Sequence, residues 1–138
     1  MKLHTYLNYG GNCAQAFSFY EQHLGGKITM MMTRAQQPDA GDVPPDLKDT
    51  ILFARMSIGE TELMAADVQP ERFQPMRSVY LSLTVGSTEE AERIYALLSD
   101  GGQIFMPMEE TFFALRFAML RDKFGTSWMI MHERPSRT

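Results

Sequence analysis

The chain repeats its own pattern at a spacing of about 74 or 75 residues, and this repeat limits the folds available to it. Three short motifs recur: YL at residues 6–7 and 80–81, A-x-x-x-Y at 16–20 and 91–95, and GG at 25–26 and 101–102. Each copy alone would leave a half-buried sheet face. Two copies packed about a pseudo-two-fold axis would bury those faces and leave a shared cleft, where we expect the functional site.

The first copy reads as βαβββ. Hydrophobic patterning and turn residues predict strands over residues 3–9, 27–33, 50–58 and 60–66, and a helix from the N-cap Asn12 to the glycine pair at 25–26. Gly59 marks a hairpin turn. The stretch from Arg34 to Asp49 contains several prolines and should hold little regular structure. We expect a mobile loop near the cleft rim, and whether it acts as a lid stays open.

The second copy follows the same order. We predict strands over residues 79–85, 103–108, 112–120 and 126–132, and a helix that begins with a capping box at residues 87–90. Asp122 should cap the turn before the last strand. The chain therefore reads as one domain over residues 1–138, with one βαβββ module at 1–70 and another at 71–138.

Composition excludes several classes of partner. The net charge is −4 and the 13 lysines and arginines are scattered, which argues against nucleic acid. No apolar run approaches the ~20 residues that cross a bilayer, and no signal-peptide pattern is seen, so we expect a cytoplasmic protein without a membrane partner. Cys13 is the single cysteine, which rules out an internal disulfide and any multi-thiolate metal site.

Four segments carry a family resemblance. Residues 6–20 read YLNYGGNCAQAFSFY, residues 25–26 GG, residues 110–113 ETFF and residues 122–130 DKFGTSWMI. The chain thereby resembles the PhnB-like branch of the vicinal oxygen chelate superfamily, which includes glyoxalases, bleomycin-resistance proteins and dioxygenases. The resemblance runs nearly end to end and implies an α+β fold in which two βαβββ modules form a cupped mixed β-sheet.

Metal enzymes of this superfamily place His or Glu ligands on the floor of the cup. At the corresponding positions this chain has Thr5, Tyr80 and Met129. A hydroxyl, a phenol and a thioether do not together hold a divalent cation against water. We therefore expect no metal and no other cofactor, unless His4 or His132 reaches the cleft.

The resemblance also suggests residues that line the cleft: Thr5, Leu7, Tyr9, Tyr80, Ser82, Phe112, Phe113, Trp128, Met129 and Met131. Glu110 and Arg116 are the polar candidates, because an even separation places both on one face of an uninterrupted strand. Cys13 lies at a helix start, where a lowered thiol pKa is conceivable, but a small packing residue explains it better. The many strand methionines fit an adaptable apolar pocket and an irregular core equally well.

These observations favour a metal-free protein that binds an apolar or aromatic small molecule, rather than an enzyme. We also expect a homodimer, because superfamily clefts are commonly completed across a subunit boundary. The alternative is a metal-dependent enzyme of the same superfamily: a glyoxalase-like isomerase, a thiol transferase or a dioxygenase. Members of this branch are often described as 3-demethylubiquinone 3-methyltransferases, but Gly10-Gly11 is only a weak match to a glycine-rich cofactor loop, and we do not expect that activity.

Overall fold

The computed structural model describes residues 1–135. The chain divides into two compact units, Met1–Gln74 and a second that begins at Pro75. Each unit has the predicted βαβββ order. The first contains β1 (Thr5–Tyr9), α1 (Cys13–His23), β2 (Lys27–Thr33), β3 (Ile51–Ile58) and β4 (Thr61–Asp67). The second contains β5 (Leu81–Thr84), α2 (Thr88–Ser99), β6 (Gln103–Glu109), β7 (Ala114–Arg121) and β8 (Ser127–Glu133).

The two sheets have the same topology. Their strand orders are β1-β4-β3-β2 and β5-β8-β7-β6. The first strand of each pairs in parallel with the last, and the other pairings are antiparallel. Three strands start two residues later than the sequence predicted: β1 begins at Thr5, β5 at Leu81 and β7 at Ala114. For β7 the reason is that residues 110–113 form the turn between β6 and β7.

The helices follow from the spacing of their apolar residues. In α1 the buried residues are Cys13, Ala16, Phe17 and Tyr20, which form one stripe at the helical period. In α2 the buried residues are Ala91, Ile94 and Leu98. Of the described residues, no helix has the length and apolarity needed to span a membrane.

The repeated glycine pair has a structural reason at each of its positions. Gly25 and Gly101 follow the helix ends with φ of 73° and 75°, a left-handed conformation that only glycine adopts without strain. The second glycine of each pair has no room for a side chain. A Cβ on Gly26 would lie 2.5 Å from Met56 Sδ, and one on Gly102 would meet the backbone oxygen of Arg121.

The two helix starts are stabilised differently. The Ser87 hydroxyl accepts a hydrogen bond from Glu90 N at 3.1 Å, which is half of the predicted capping box. The Glu90 carboxylate instead binds Arg93. Asn12 occupies the N-cap position of α1, as predicted, but its side chain makes no capping bond.

Asp67, at the end of β4, binds the start of α1 instead. Its Oδ1 accepts hydrogen bonds from the backbone N–H groups of Gly11 and Cys13, both at 3.0 Å. Its Oδ2 accepts one from Ile51 N at 2.8 Å. The side chain is 1% exposed. One buried carboxylate therefore joins the end of β4 to the link between β1 and α1, to the start of α1 and to the start of β3.

The loop from Arg34 to Asp49 is more regular than the sequence predicted. It contains three short 3₁₀ turns, at Arg34–Gln36, Ala40–Asp42 and Pro45–Leu47. The Arg34 guanidinium donates to the backbone oxygens of Ile51 and Asp67. The prolines exclude a sheet ladder but permit these turns, and the arginine fastens the loop to the sheet.

Candidate functional site

Each sheet has one face covered by the helix of its own unit and a second face, called here the helix-free face. In the first sheet the Tyr9 ring packs edge-on against Phe17 of α1, with 6.3 Å between centroids. Strand side chains alternate, so Thr5 and Leu7 share the covered face with Tyr9. Tyr6 and Asn8 therefore lie on the helix-free face.

This placement corrects the predicted position of three candidates. Leu7 and Tyr9 are 3% and 1% exposed and belong to the core beneath α1, with Thr5 beside them. The strand registers of the two sheets explain the error. Leu7 pairs with Ala65 on β4, and Leu81 occupies the same place in the second sheet, where it pairs with Trp128 on β8. The residue before each leucine is a tyrosine, so Tyr6, and not Thr5, is the counterpart of Tyr80. The repeated YL motif already carried this signal.

In the second sheet, Arg116 marks the covered face. Its Nε contacts Glu92 Oε1 of α2 at 3.0 Å. Alternation and register then place these residues on the helix-free face: Ser82, Thr84, Phe117, Met119, Met129 and Met131. One row of side chains crosses four strands through three strand pairings: Ser82, Met129, Met119 and Met106. The sequence candidates Ser82, Met129 and Met131 thus share a face.

Trp128 lies on the opposite, covered face and is 1% exposed. Its Nε1 donates to Asp122 Oδ2 at 2.8 Å. Asp122 Oδ1 accepts from the backbone N–H groups of Phe124 and Thr126, as the turn prediction requires. Trp128 therefore anchors the β7–β8 turn and is not available on the helix-free face.

The β6–β7 turn separates the two polar candidates. Glu110 lies in the turn and binds Arg134 at 2.8 Å, a hydrogen bond that lowers the pKa of the Glu110 carboxyl from its usual range. Arg116 instead binds Glu92. The predicted shared face assumed one continuous strand through the turn, which the structure does not have. In the same turn, Phe112 is 92% exposed and Phe113 is 45% exposed.

Tyr80 lies in a cluster that the sequence did not reveal. Its hydroxyl accepts a hydrogen bond from Arg77 Nη1 at 2.9 Å, and its ring meets that of Phe105 at 6.2 Å between centroids. The guanidinium carbons of Arg77 and Arg121 lie 4.1 and 5.6 Å from the Phe105 centroid. Arg121 follows Met119 by two residues and so shares its face. We call these four residues the arginine cluster.

Cys13 is fully buried. Burial, together with the smaller effect of the negative charge of Asp67, raises the pKa of its thiol from 9.0 to about 12. The lowered pKa considered for a thiol at a helix start is therefore wrong, because the thiol is buried and a carboxylate of the chain itself lies against that helix terminus. Packing accounts for this cysteine.

The residues present do not fit the metal site of the superfamily. Among residues 1–135, no group of three His, Cys, Asp or Glu side chains lies close enough to hold a metal ion. His132 pairs in register with Arg116 on the covered face, and its Nδ1 lies 3.1 Å from Val85 O. His4 is exposed and precedes β1. Neither histidine joins other donors of the kind such a site needs.

Two of the concavities formed by the described residues lie in the first unit. One, of about 240 Å³, lies beneath the 34–49 loop and is lined by residues that include Arg34, Val68 and Arg72. The other is a shallow polar depression of about 570 Å³ at the strand ends around Thr5 and Glu62. Ligand contact by any of the residues named above stays a prediction.

Comparison with known proteins places these observations in a family. Residues 1–131 match the family described as 3-demethylubiquinone-9 3-methyltransferase. Protein YjdN from Escherichia coli is 32% identical over 94% of each chain. The crystal structure of protein PA1353 from Pseudomonas aeruginosa is 39% identical, covers 98% of this chain and 99% of its own, and superposes with a TM-score of 0.86.

The PhnB protein from Bacillus cereus is 24% identical, with coverage of 96% of this chain and 99% of its own, and has a TM-score of 0.83. That similarity shows the fold alone, and it confirms the predicted α+β class with its two four-stranded mixed sheets. Because the family model matches residues 1–131 and two relatives exceed 30% identity, the chain belongs to the family described as 3-demethylubiquinone-9 3-methyltransferase, and it has the glyoxalase/bleomycin-resistance fold that the sequence predicted.

Proposed function

We propose that this protein binds an apolar or aromatic small molecule without a metal, on the helix-free face of its second sheet. The observation that carries the proposal is the row of Met106, Met119 and Met129 across three strands of that face. Met119 and Met129 are half-buried and Met106 is 36% exposed. Thioether side chains adapt to irregular apolar ligands and contact aromatic rings favourably.

A metal-dependent enzyme of the same superfamily is less well supported. The helix-free positions that correspond between the two sheets are Tyr6 and Tyr80, and neither offers an imidazole or carboxylate. Met129 offers a thioether, which is a poor ligand for hard divalent cations.

Methyl transfer, which the family's description names, is also disfavoured. The link from β1 through Gly10-Gly11 to α1 is the place where a glycine-rich loop would hold a cofactor. The N–H groups of Gly11 and Cys13 already donate to Asp67 at 3.0 Å. A ligand at this helix start would have to displace a buried carboxylate of the protein itself.

The proposal predicts that Met129→Gln weakens the binding of N-phenyl-1-naphthylamine, a neutral aromatic fluorophore. Replacing the thioether by an amide adds a polar group that must be desolvated, and we expect a loss of affinity of about tenfold. Fluorescence titration measures it. Ile104→Gln is the matched control, because Ile104 is 46% exposed and pairs with Leu120 on the covered side.

Manganese and zinc should leave the affinity for the fluorophore unchanged in the same titration. Unmeasurable binding to the wild-type protein, or equal losses in the two glutamine variants, would refute the proposal. Binding that requires either cation would favour the enzyme alternative.

We further propose that the protein acts as a homodimer. The Phe112 and Phe113 rings lie 5.2 Å apart in an exposed turn, which leaves apolar surface for a second copy to cover. Light scattering should give twice the chain mass of 15.7 kDa. A mass equal to that of one chain across the working concentration range would contradict this expectation.

A further inference from the structure

The arginine cluster brings two positive charges to one aromatic ring. Both guanidinium groups lie within 6 Å of the Phe105 centroid, so the charges are closer than the ~10 Å over which 0.1 M salt screens them. Of the described residues, no carboxylate forms an ion pair with Arg77 or Arg121. The two guanidinium groups therefore repel each other, and no carboxylate of the described residues offsets this repulsion with an ion pair.

Within residues 1–135, the arginines of the cluster donate hydrogen bonds to neutral acceptors. Arg121 donates to Met76 O at 3.3 Å and to Gln103 Oε1 at 3.0 Å. Arg77 donates to the Tyr80 hydroxyl at 2.9 Å. A guanidinium has five N–H donors. These bonds fix the orientation of both groups and leave further donors on each of them.

The first sheet shows how the chain neutralises the equivalent arginine. Ala54 pairs with Ala65 as Leu120 pairs with Trp128, so Arg55 is the counterpart of Arg121. Arg55 Nε lies 2.9 Å from Glu62 Oε1. Ala65 and Trp128 are therefore also counterparts. Glu62 lies three residues before Ala65, and the residue three before Trp128 is Gly125. The second unit thus keeps the arginine and lacks its counter-charge.

We propose that Arg77 and Arg121 bind the oxyanion of a small organic acid, a carboxylate or phosphoryl group, whose apolar body lies along the methionine row. Arg121 and Met119 are two residues apart on one face of β7, about 7 Å along the strand. One ligand can therefore contact both. This inference names the ligand class for the face proposed above and relies on that proposal only for the position of the apolar body.

Two fluorophores with the same skeleton test it. 8-Anilinonaphthalene-1-sulfonate is N-phenyl-1-naphthylamine with one added sulfonate, so their affinities differ by the contribution of the anion. We expect the anionic probe to bind the wild-type protein about tenfold more tightly. Arg121→Gln and Arg77→Gln should each remove most of that difference and leave the affinity for the neutral probe within about twofold.

Arg93→Gln is the matched control, since Arg93 pairs with Glu90 on α2 and its removal changes net charge equally. Competition by benzoate and by phenylphosphonate distinguishes a carboxylate ligand from a phosphoryl ligand. Equal binding of both fluorophores, or an anionic-probe affinity that Arg121→Gln leaves unchanged, overturns the anion site while the apolar site still stands.

A second measurement does not depend on the fluorophores. Inorganic phosphate should shift the arginine Nε–H signals of Arg77 and Arg121 in NMR spectra, and Arg121→Gln should abolish the shift at Arg77. Shifts of this kind without binding of the neutral probe would support the anion site and refute the apolar one. If the signals of Arg77 and Arg121 do not shift at any phosphate concentration in the titration, the anion site is refuted.

Discussion

Replacing Asp67 with alanine should lower the free energy of unfolding by about 3 to 5 kcal/mol, because three N–H groups, two of them in buried hydrogen bonds, would lose their acceptor. Gly11, Cys13 and Ile51 donate these hydrogen bonds at 2.8 to 3.0 Å, and the carboxylate is 1% exposed. Urea denaturation followed by circular dichroism measures the loss.

Asp46→Ala is the control, since Asp46 is an exposed aspartate in the 34–49 loop. Asp67→Asn keeps one oxygen acceptor and should fall between wild type and alanine, so the expectation can be checked even where the alanine variant fails to fold. An asparagine or alanine variant as stable as Asp46→Ala would show that the carboxylate does not hold the start of α1.

Cys13 should react with iodoacetamide at pH 8 about a thousandfold more slowly in the folded protein than in urea. The thiolate is the reactive form, and raising the pKa from 9.0 to about 12 lowers the thiolate fraction by that factor. Burial of the sulfur slows the reaction further. Mass spectrometry of the alkylated chain over time gives both rates.

The same pKa shift predicts how stability depends on pH. The folded state keeps the thiol proton between pH 9.0 and about 12, whereas the unfolded state loses it. Stability should therefore be unaffected by this group below pH 9 and should fall as the pH rises through that window. Cys13→Ala should remove the contribution of the thiol to this dependence, and comparison of the two proteins by urea denaturation across the window measures it.

Ser57→Cys in the Cys13→Ala background is the matched control for alkylation, because Ser57 is exposed on β3. Its thiol should react at similar rates in folded and unfolded protein. A native Cys13 rate within tenfold of the unfolded rate would return this residue to the list of candidate nucleophiles.

Local physics explains why the element order could be predicted. The stripe of Ala16, Phe17 and Tyr20 repeats at the helical period, and the first glycine of each pair takes the left-handed conformation that follows the helix end. These signals lie within a few residues of each other in the chain. They do not depend on which other strand lies alongside.

The position of the candidate site was predicted less well. Ser82, Met129 and Met131 do share the helix-free face, but Thr5, Leu7, Tyr9 and Trp128 lie on the covered one. Strand alternation separates the two faces by a single residue. A motif alignment that slips by one position therefore exchanges a residue of the helix-free face for one of the covered face, which is the relation between Tyr6 and Thr5.

The sequence by itself determined the duplicated βαβββ order, the helix ends and the family, because each is set by local periodicity or by motifs along the chain. Only the tertiary structure decided which side chains meet over long distances. Asp67 binds the start of α1 from 54 residues away, and Arg121 meets Phe105 and Arg77 from other segments. Such contacts depend on strand register and turn geometry, which composition and spacing do not encode.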